Sequence, residues 1–214
     1  TPGGTARIEV EVEGGRTLYL ADVTIADIKH SFQAPLPKNA HRAVFEGVSE
    51  DAGAELWITE GTAASTRILA DLMPGKQGSS PKQFAALNGR AYFAAQTPEI
   101  GRELWTTDGT AAGTVLLKDI YPGAGGSDPG TLTAGARGIF FIATTEGTGR
   151  ELWFTGGTPE TTRPTSDLYP GPGDSDPYAF CIFDHLLFFS ANAPSTGEEM
   201  YVSNGELTQL NLLE

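Results

Sequence analysis

The stretch Gly101-Arg-Glu-Leu-Trp-Thr-Thr-Asp-Gly109 decides the fold, because its first five residues recur along the chain at a fixed distance. Gly-x-Glu-Leu-Trp also occurs at residues 53–57 and 149–153, and a divergent copy, Gly-Glu-Glu-Met-Tyr, occupies residues 197–201. The distance from each copy to the next is the same throughout, without insertion or deletion. Such self-similarity is the signature of a repeat architecture, in which neighbouring units bury one another's apolar faces. The sequence therefore predicts four 48-residue units that together span residues 23–214.

Each unit is predicted to form four antiparallel strands. In the second unit these strands cover residues 83–87, 90–95, 103–107 and 114–119. Asn-Gly and Asp-Gly are favoured in two-residue hairpin turns that need a positive φ. They occur at Asn88-Gly89 and at Asp108-Gly109, so the sequence predicts a tight hairpin at each of these positions.

The third strand of each unit indicates how the units pack. Leu104 belongs to one face of this strand and Trp105 to the other, and a strand that is apolar on both faces must be covered on both. Sheets stacked radially as propeller blades provide that cover. Pro164 falls within the predicted fourth strand of the third unit, where proline is tolerated only at a sheet edge. The prediction is an all-β fold, a β-propeller of four four-stranded blades over residues 23–214 with the fourth strand outermost.

Residues 1–22 are predicted to form an additional N-terminal β-ribbon, or half-blade. Residues 8–12 alternate between apolar and charged side chains as a strand does, and residues 15–23 resemble the fourth strand of a unit. Two arrangements are open. Either the ribbon closes the ring at four blades, which we favour, or the chain belongs to a longer array of the same units.

The composition supports this fold class and excludes some partners. Only 19% of the residues are charged, and the chain contains 27 glycines and 14 prolines, a profile typical of short strands joined by tight turns. The net charge of −13 argues against binding to nucleic acid or to an anionic membrane surface, because both require a basic face. No apolar stretch approaches the length of a membrane span, so membrane insertion is not expected. The single cysteine, Cys181, lies in the apolar stretch 180–183 and is predicted to be buried and unreactive.

The sequence from Glu103 to Thr114, followed by Lys118-Asp-Ile120 and Pro122-Gly123, closely resembles the ELWxxDGT repeat of large secreted or surface proteins of bacteria. The match extends over nearly the whole chain, and it is weakest in the fourth unit, where Met200-Tyr201 replaces Leu-Trp. The resemblance implies a repeat module in an extracellular, cell-surface or periplasmic location. It implies no particular reaction.

The connections between units are the predicted ligand-binding region. They cover residues 71–81, 119–129 and 167–177, and each contains a Pro-Gly pair. One repeated position carries a large side chain, namely Met73, Tyr121 and Tyr169. In a propeller these connections share one face, and aromatic side chains on short polar loops are typical of a face that binds a glycan or a protein. The alternative is that Tyr121 and Tyr169 pack against the next blade.

Acidic residues of the same connections are candidate calcium ligands, because calcium binds oxygen atoms. They are Asp119 and Asp128 in one connection and Asp167, Asp174 and Asp176 in the next. Their spacing matches no established calcium loop. The alternative is that Asp119, Asp167 and the equivalent Asp71 accept hydrogen bonds from loop amides and stabilise the Pro-Gly turn.

A glutamate recurs in the third strand of every unit, at Glu55, Glu103, Glu151 and Glu199. A catalytic site would break the repeat symmetry, so four equivalent copies indicate a structural role. We expect these carboxylates to accept hydrogen bonds from backbone amides or to pair with Arg102 and Arg150.

Two histidines depart from the repeat pattern, because His41 and His185 share a position at which the other units have glycine and arginine. In a ring closed at four blades they would lie on the same face of adjacent blades. Such a pair is a candidate zinc or copper site, and two solvated turn residues are the alternative.

The predicted function is an extracellular or cell-surface binding or structural module for a glycan or protein ligand. The chain contains no Gly-x-Ser-x-Gly or His-Glu-x-x-His motif and no glycine-rich phosphate loop. The alternative is a hydrolase or lyase with an asymmetric channel site that uses acidic residues together with His41 or His185, because propeller active sites are assembled from distant blades.

Overall fold

The computed structural model describes the backbone of residues 5–12, 16–24, 32–35, 42–206 and 211–212. Side chains are described for residues 42–206. The described chain is all-β, and its one short helical element is a 3-10 turn at Ala63–Ser65. The strands form one two-stranded and four four-stranded antiparallel sheets. The prediction of an all-β fold is confirmed.

Strands β1 (Thr5–Val12) and β2 (Arg16–Thr24) pair with each other, and the remaining strands form sheets 1 to 4, each with its four strands paired in sequence order. Sheet 1 contains β3 (Phe32–Pro35), β4 (Ala43–Ser49), β5 (Gly53–Thr59) and β6 (Arg67–Ala70). Sheet 2 contains β7 (Lys82–Leu87), β8 (Arg90–Thr97), β9 (Gly101–Thr107) and β10 (Val115–Lys118). Sheet 3 contains β11 (Gly130–Ala134), β12 (Ile139–Thr145), β13 (Gly149–Thr155) and β14 (Arg163–Pro164). Sheet 4 contains β15 (Tyr178–Phe183), β16 (Leu186–Ala193), β17 (Gly197–Ser203) and β18 (Asn211–Leu212).

The strand predictions for the second unit are confirmed, and no predicted bound differs by more than about two residues from the strand in sheet 2. The fourth strand of every sheet is an edge strand. Pro164 lies in β14, which pairs only with β13, so the predicted edge position of this proline is confirmed.

Consecutive sheets pack face to face, and each pair of neighbouring sheets encloses one apolar cluster. Leu104 and Tyr92 of sheet 2 share such a cluster with Phe141 of sheet 3. Trp105, on the opposite face of the strand that carries Leu104, packs against the cluster between sheets 1 and 2. The prediction that this strand is covered on both faces is confirmed.

The sheets follow one another in series. The first strands β3, β7, β11 and β15 are in contact from each sheet to the next, so they form the inner side of the stack, and the fourth strands lie at the opposite edge of each sheet. Within the described residues the structure does not show a closed ring of sheets. The stack is built as the repeat requires, because each repeat unit supplies one sheet that cannot bury both of its faces alone.

The hairpin prediction is confirmed at one of its two positions. Asn88 and Gly89 have φ values of 49° and 77° and join β7 to β8 as a tight turn. The prediction of a tight two-residue turn at Asp108-Gly109 is wrong, because the seven residues 108–114 join β9 to β10. Asp108 accepts hydrogen bonds at Oδ1 from the amide (2.9 Å) and the hydroxyl (2.7 Å) of Thr110, and it does not adopt a positive φ.

A pair of threonines holds this seven-residue loop in shape. The hydroxyls of Thr107 and Thr114 lie 2.8 Å apart, and Thr107 Oγ1 also accepts a hydrogen bond of 3.0 Å from the amide of Gly109. The equivalent hydroxyl pairs, Thr59 with Thr66 and Thr155 with Thr162, both lie 2.7 Å apart. The repeated threonines and glycines after the Glu-Leu-Trp motif therefore build an outer loop of the sheet.

Cys181 is exposed, and the prediction that it is buried is wrong. It lies on the face of sheet 4 that is turned away from sheet 3. The apolar residues around it suggested a core strand, but no further sheet covers this face within the described residues, as the 71% exposure of Phe183 shows.

Candidate functional site on the connections between sheets

A buried glutamate holds each of the three connections between sheets. Glu55 is fully buried, and its carboxylate accepts hydrogen bonds from the amides of Leu72 (3.0 Å), Met73 (3.0 Å) and Ser79 (2.8 Å). The hydroxyl of Ser79 donates a fourth bond of 2.6 Å. A charged group at this depth is tolerated only when its oxygens are satisfied in this way.

The second and third units repeat this arrangement. Glu103 accepts hydrogen bonds from the amides of Ile120 (3.0 Å), Tyr121 (3.0 Å) and Ser127 (2.8 Å) and from the Ser127 hydroxyl (2.6 Å). Glu151 accepts hydrogen bonds from the amides of Leu168 (3.1 Å) and Ser175 (3.1 Å) and from the Ser175 hydroxyl (2.6 Å). We call each glutamate with its donors a clamp. The expectation that these glutamates accept bonds from backbone donors is confirmed in three units.

The serine of each clamp also bonds to the next sheet. The Ser79 carbonyl accepts a hydrogen bond of 2.9 Å from the amide of Gln96, and the Ser127 carbonyl accepts one of 2.8 Å from Thr144. Ser175 and Asn192 repeat the contact at 2.8 Å. Sequence analysis missed these serines, although they recur with the same period as the Glu-Leu-Trp motif.

Burial changes the acidity of the clamp carboxyls. Burial raises the pKa of Glu103, and the four hydrogen bonds that its carboxylate accepts partly offset this increase. Burial raises the pKa of Glu151 to about 7, where fewer donors oppose it and the negative charge of Asp167 adds to the effect. A carboxyl with this pKa exchanges its proton near neutral pH.

The predicted ligand-binding residues lie on the parts of the connections that the clamps hold. Met73 and Tyr121 are half-buried, and Tyr169 is 37% exposed. The Tyr121 ring lies over Gly125, and the Tyr169 ring lies over Gly173. The tyrosines thus contact glycines of their own connections, and their role in ligand binding stays a prediction.

The Pro-Gly tips of the connections are open to solvent. Gly75, Gly123 and Gly171 have φ values of 110°, 100° and 92°, a left-handed backbone that favours glycine, and a Cβ at any of them would meet no atom within 4 Å. Each connection therefore presents a free tip next to a backbone that the clamp fixes.

Three of the predicted calcium ligands contact an arginine. Asp128 Oδ1 lies 3.8 Å from Arg102 Nε, and its Oδ2 lies 3.9 Å from Arg150 Nη1. Asp176 lies 3.7 Å from Arg150 Nε, and Asp174 accepts a hydrogen bond of 2.7 Å from the Arg150 amide. Acidic and basic side chains thus alternate in the order Arg102, Asp128, Arg150 and Asp176.

The remaining two candidates differ from each other. Asp167 accepts a hydrogen bond of 3.3 Å from the amide of Gly171, as the turn-stabilising alternative predicts. The Oδ1 atom of Asp119 is buried and has no hydrogen-bond partner among the described residues. In the part of the chain that the structure describes, no group of three or more His, Cys, Asp or Glu residues is placed to hold a metal ion. Calcium binding stays a prediction.

The structure describes one of the two histidines of the predicted pair. His41 lies outside the described residues. His185 is exposed in the turn between β15 and β16, where it has a φ of 78° and its Nδ1 lies 3.4 Å from Asp184 Oδ1. The zinc or copper site and the channel enzyme that would use these histidines stay predictions.

Comparison with protein-family models and with curated proteins found no match to the chain. Within the described residues, no helix is long and apolar enough to cross a membrane.

Proposed function

We propose that the four sheets are consecutive blades of a β-propeller and that the protein is an extracellular or cell-surface binding module without catalytic activity. Its binding region is the connection face, which we define as residues 72–78, 120–126 and 168–174. The ligand is a glycan or a protein. One observation carries the proposal: three buried glutamates hold three connections in nearly the same conformation and leave their tips exposed.

The clamps favour binding because they reduce the cost of ordering a loop. A flexible loop loses conformational freedom when it binds a ligand, whereas a loop that is already fixed does not. The tips of the connection face carry few charged groups, and Tyr169 presents part of its ring to solvent. Aromatic rings beside polar backbone groups are suited to the apolar face and the hydroxyls of a sugar ring.

Affinity electrophoresis in gels that contain xylan, mannan, mixed-linkage β-glucan or alginate tests the glycan arm of this proposal. We expect at least one polysaccharide to retard the protein and the double variant Tyr121→Ala, Tyr169→Ala to lose most of that retardation. Val115→Ala is the matched control, because Val115 is an exposed apolar residue on the edge strand β10. The retardation should persist at about 0.3 M NaCl, where the effect of surface charge is screened.

Retention on an immobilised peptide library tests the protein arm with the same variants. If the double variant and Val115→Ala reduce the retention equally, the ligand binds elsewhere on the protein. Absence of retention on both the polysaccharides and the peptides contradicts the proposal.

A further inference from the structure

The face of sheet 4 that is turned away from sheet 3 is an uncovered copy of an internal packing surface. It presents Cys181, Phe183, Phe188 and Met200, and we call it the tail face. Phe183 is 71% exposed and Met200 is 51% exposed, whereas Phe188 is half-buried. Exposed large apolar side chains grouped on one sheet face mark an interaction surface.

The repeat shows what normally covers these positions. The equivalent residues of sheet 2 are Ala85, Leu87, Tyr92 and Leu104, which have exposures of 7%, 8%, 2% and 0%. All four belong to the apolar cluster that sheet 2 shares with sheet 3. In sheet 3 the counterparts of Phe188 and Met200 are Phe140 and Leu152, which are 2% and 0% exposed beneath sheet 4. The tail face is thus built to be covered by the next sheet of the same repeat.

The opposite end of the stack carries the complementary surface. Phe45 and Trp57 lie on the face of sheet 1 that is turned away from sheet 2, and we call this the head face. The equivalents of Phe45 are Phe93, Phe141 and Phe189, which have exposures of 0%, 0% and 1% because each packs against the preceding sheet. Phe45 is only half-buried. The equivalent faces of sheets 2, 3 and 4 each cover the sheet before them, whereas sheet 1 is the first of sheets 1 to 4 and none of them lies before its head face.

We propose that the tail face binds the head face of a second copy of this chain, so that the protein associates head to tail. The exposures of Met200 and Phe183 show that the chain's own sheet 1 does not cover the tail face. The three internal interfaces define the occupant as a sheet of this repeat with a phenylalanine at the Phe45 position and a large aromatic residue at the Trp57 position, where the covering sheets carry Trp105, Trp153 and Tyr201. A head-to-tail contact joins two different surfaces, so it forms a closed ring where the rotation between copies closes, and two copies are the smallest such ring.

Sedimentation equilibrium over a concentration series tests the proposal. The expected result is a mass that rises from the 22.6 kDa of one chain towards that of two chains. Met200→Glu places a charge on the tail face, and we expect it to weaken association at least about tenfold. Val115→Glu is the matched control, because Val115 is 45% exposed on an edge strand outside both faces, and it should leave association unchanged. Both substitutions are at exposed positions, and thermal unfolding of the monomeric fraction verifies that each variant folds.

The native thiol gives an independent readout. Cys181 is on the tail face and is exposed in the free chain. Its rate of reaction with a soluble disulfide reagent should fall as the protein concentration rises, and Met200→Glu should remove that dependence.

A mixing experiment distinguishes head-to-tail contact from contact between two tail faces. Phe45→Lys blocks the head face, so each single variant should stay monomeric, whereas an equimolar mixture of Phe45→Lys and Met200→Glu should form dimers through the one intact interface. Tail-to-tail contact predicts that Phe45→Lys alone still dimerises, that mixing adds no further dimer, and that two Cys181 thiols readily form a disulfide under mild oxidation. The proposal is overturned by that result, by equal effects of Met200→Glu and Val115→Glu, or by a chain that stays monomeric with a fully reactive thiol at every concentration.

Discussion

The second and fourth units place a glutamate at the same position of the same strand, yet its surroundings are opposite. Glu103 is fully buried and accepts four hydrogen bonds from residues of the connection that leads to sheet 3. Glu199 is exposed. The donors for Glu103 are amides 17, 18 and 24 residues further along the chain, in the connection that leads to the next sheet. The motif is therefore completed by the connection that follows it, and each unit depends on the next.

The largest difference between the two units is expected when the glutamate is removed. Glu103→Ala leaves the buried donors of Ile120, Tyr121 and Ser127 without an acceptor and opens a cavity, so we expect a loss of about 3–5 kcal/mol of unfolding free energy. Glu199→Ala should change it by less than about 0.5 kcal/mol. Urea unfolding followed by tryptophan fluorescence measures both. Equal effects would show that the buried carboxylate is not what holds the connection.

A smaller effect is expected from the serine that completes the clamp. Ser127→Ala removes the hydroxyl that donates to Glu103 but keeps the amide and carbonyl contacts, so we expect a loss of about 1–3 kcal/mol. Ser166 is the matched control, because its hydroxyl is buried without a hydrogen-bond partner among the described residues. Ser166→Ala should be neutral or slightly stabilising. The same urea titration distinguishes them, and a larger loss for Ser166→Ala would contradict the assignment of the bond.

The repeat made much of the fold predictable from the sequence. The constant repeat period, the Asn88-Gly89 turn and the paired Leu104 and Trp105 gave the strands, one hairpin and the cover on both sheet faces, because each follows from a local rule of backbone or burial. The 108–114 loop was not predictable from Asp108-Gly109 alone, because the turn is shaped by a hydroxyl pair seven residues apart.

The candidate site was less accessible to sequence reasoning. The structural role predicted for the glutamates is confirmed for Glu55, Glu103 and Glu151, but their serine partners are 24 residues away and become neighbours only when the connection folds back. Cys181 was expected to be buried because its stretch is apolar, and a local pattern cannot show that no sheet among the described residues covers this face of sheet 4. Position in the array, which decides burial here, is not encoded within a single unit.

The pH dependence of the unfolding free energy should also distinguish a buried glutamate of a clamp from the exposed glutamate at the equivalent position. Burial raises the pKa of Glu151 from 4.5 to about 7, so between these values the folded protein holds a proton that the unfolded chain releases. The third clamp therefore contributes its full stability below about pH 4.5, and this contribution is lost as the pH rises through about 7. Unfolding free energies measured by urea titration from pH 5 to pH 8 should fall more steeply for the wild type than for Glu151→Gln, which cannot ionise. Glu199→Gln, at the exposed equivalent position, should retain the wild-type slope. If Glu151→Gln also retains that slope, Glu151 is not protonated between pH 5 and pH 8 in the folded protein. The hydrogen bonds from Leu168 and Ser175 would then keep it ionised, in the way that the four hydrogen bonds to Glu103 oppose protonation of that carboxyl.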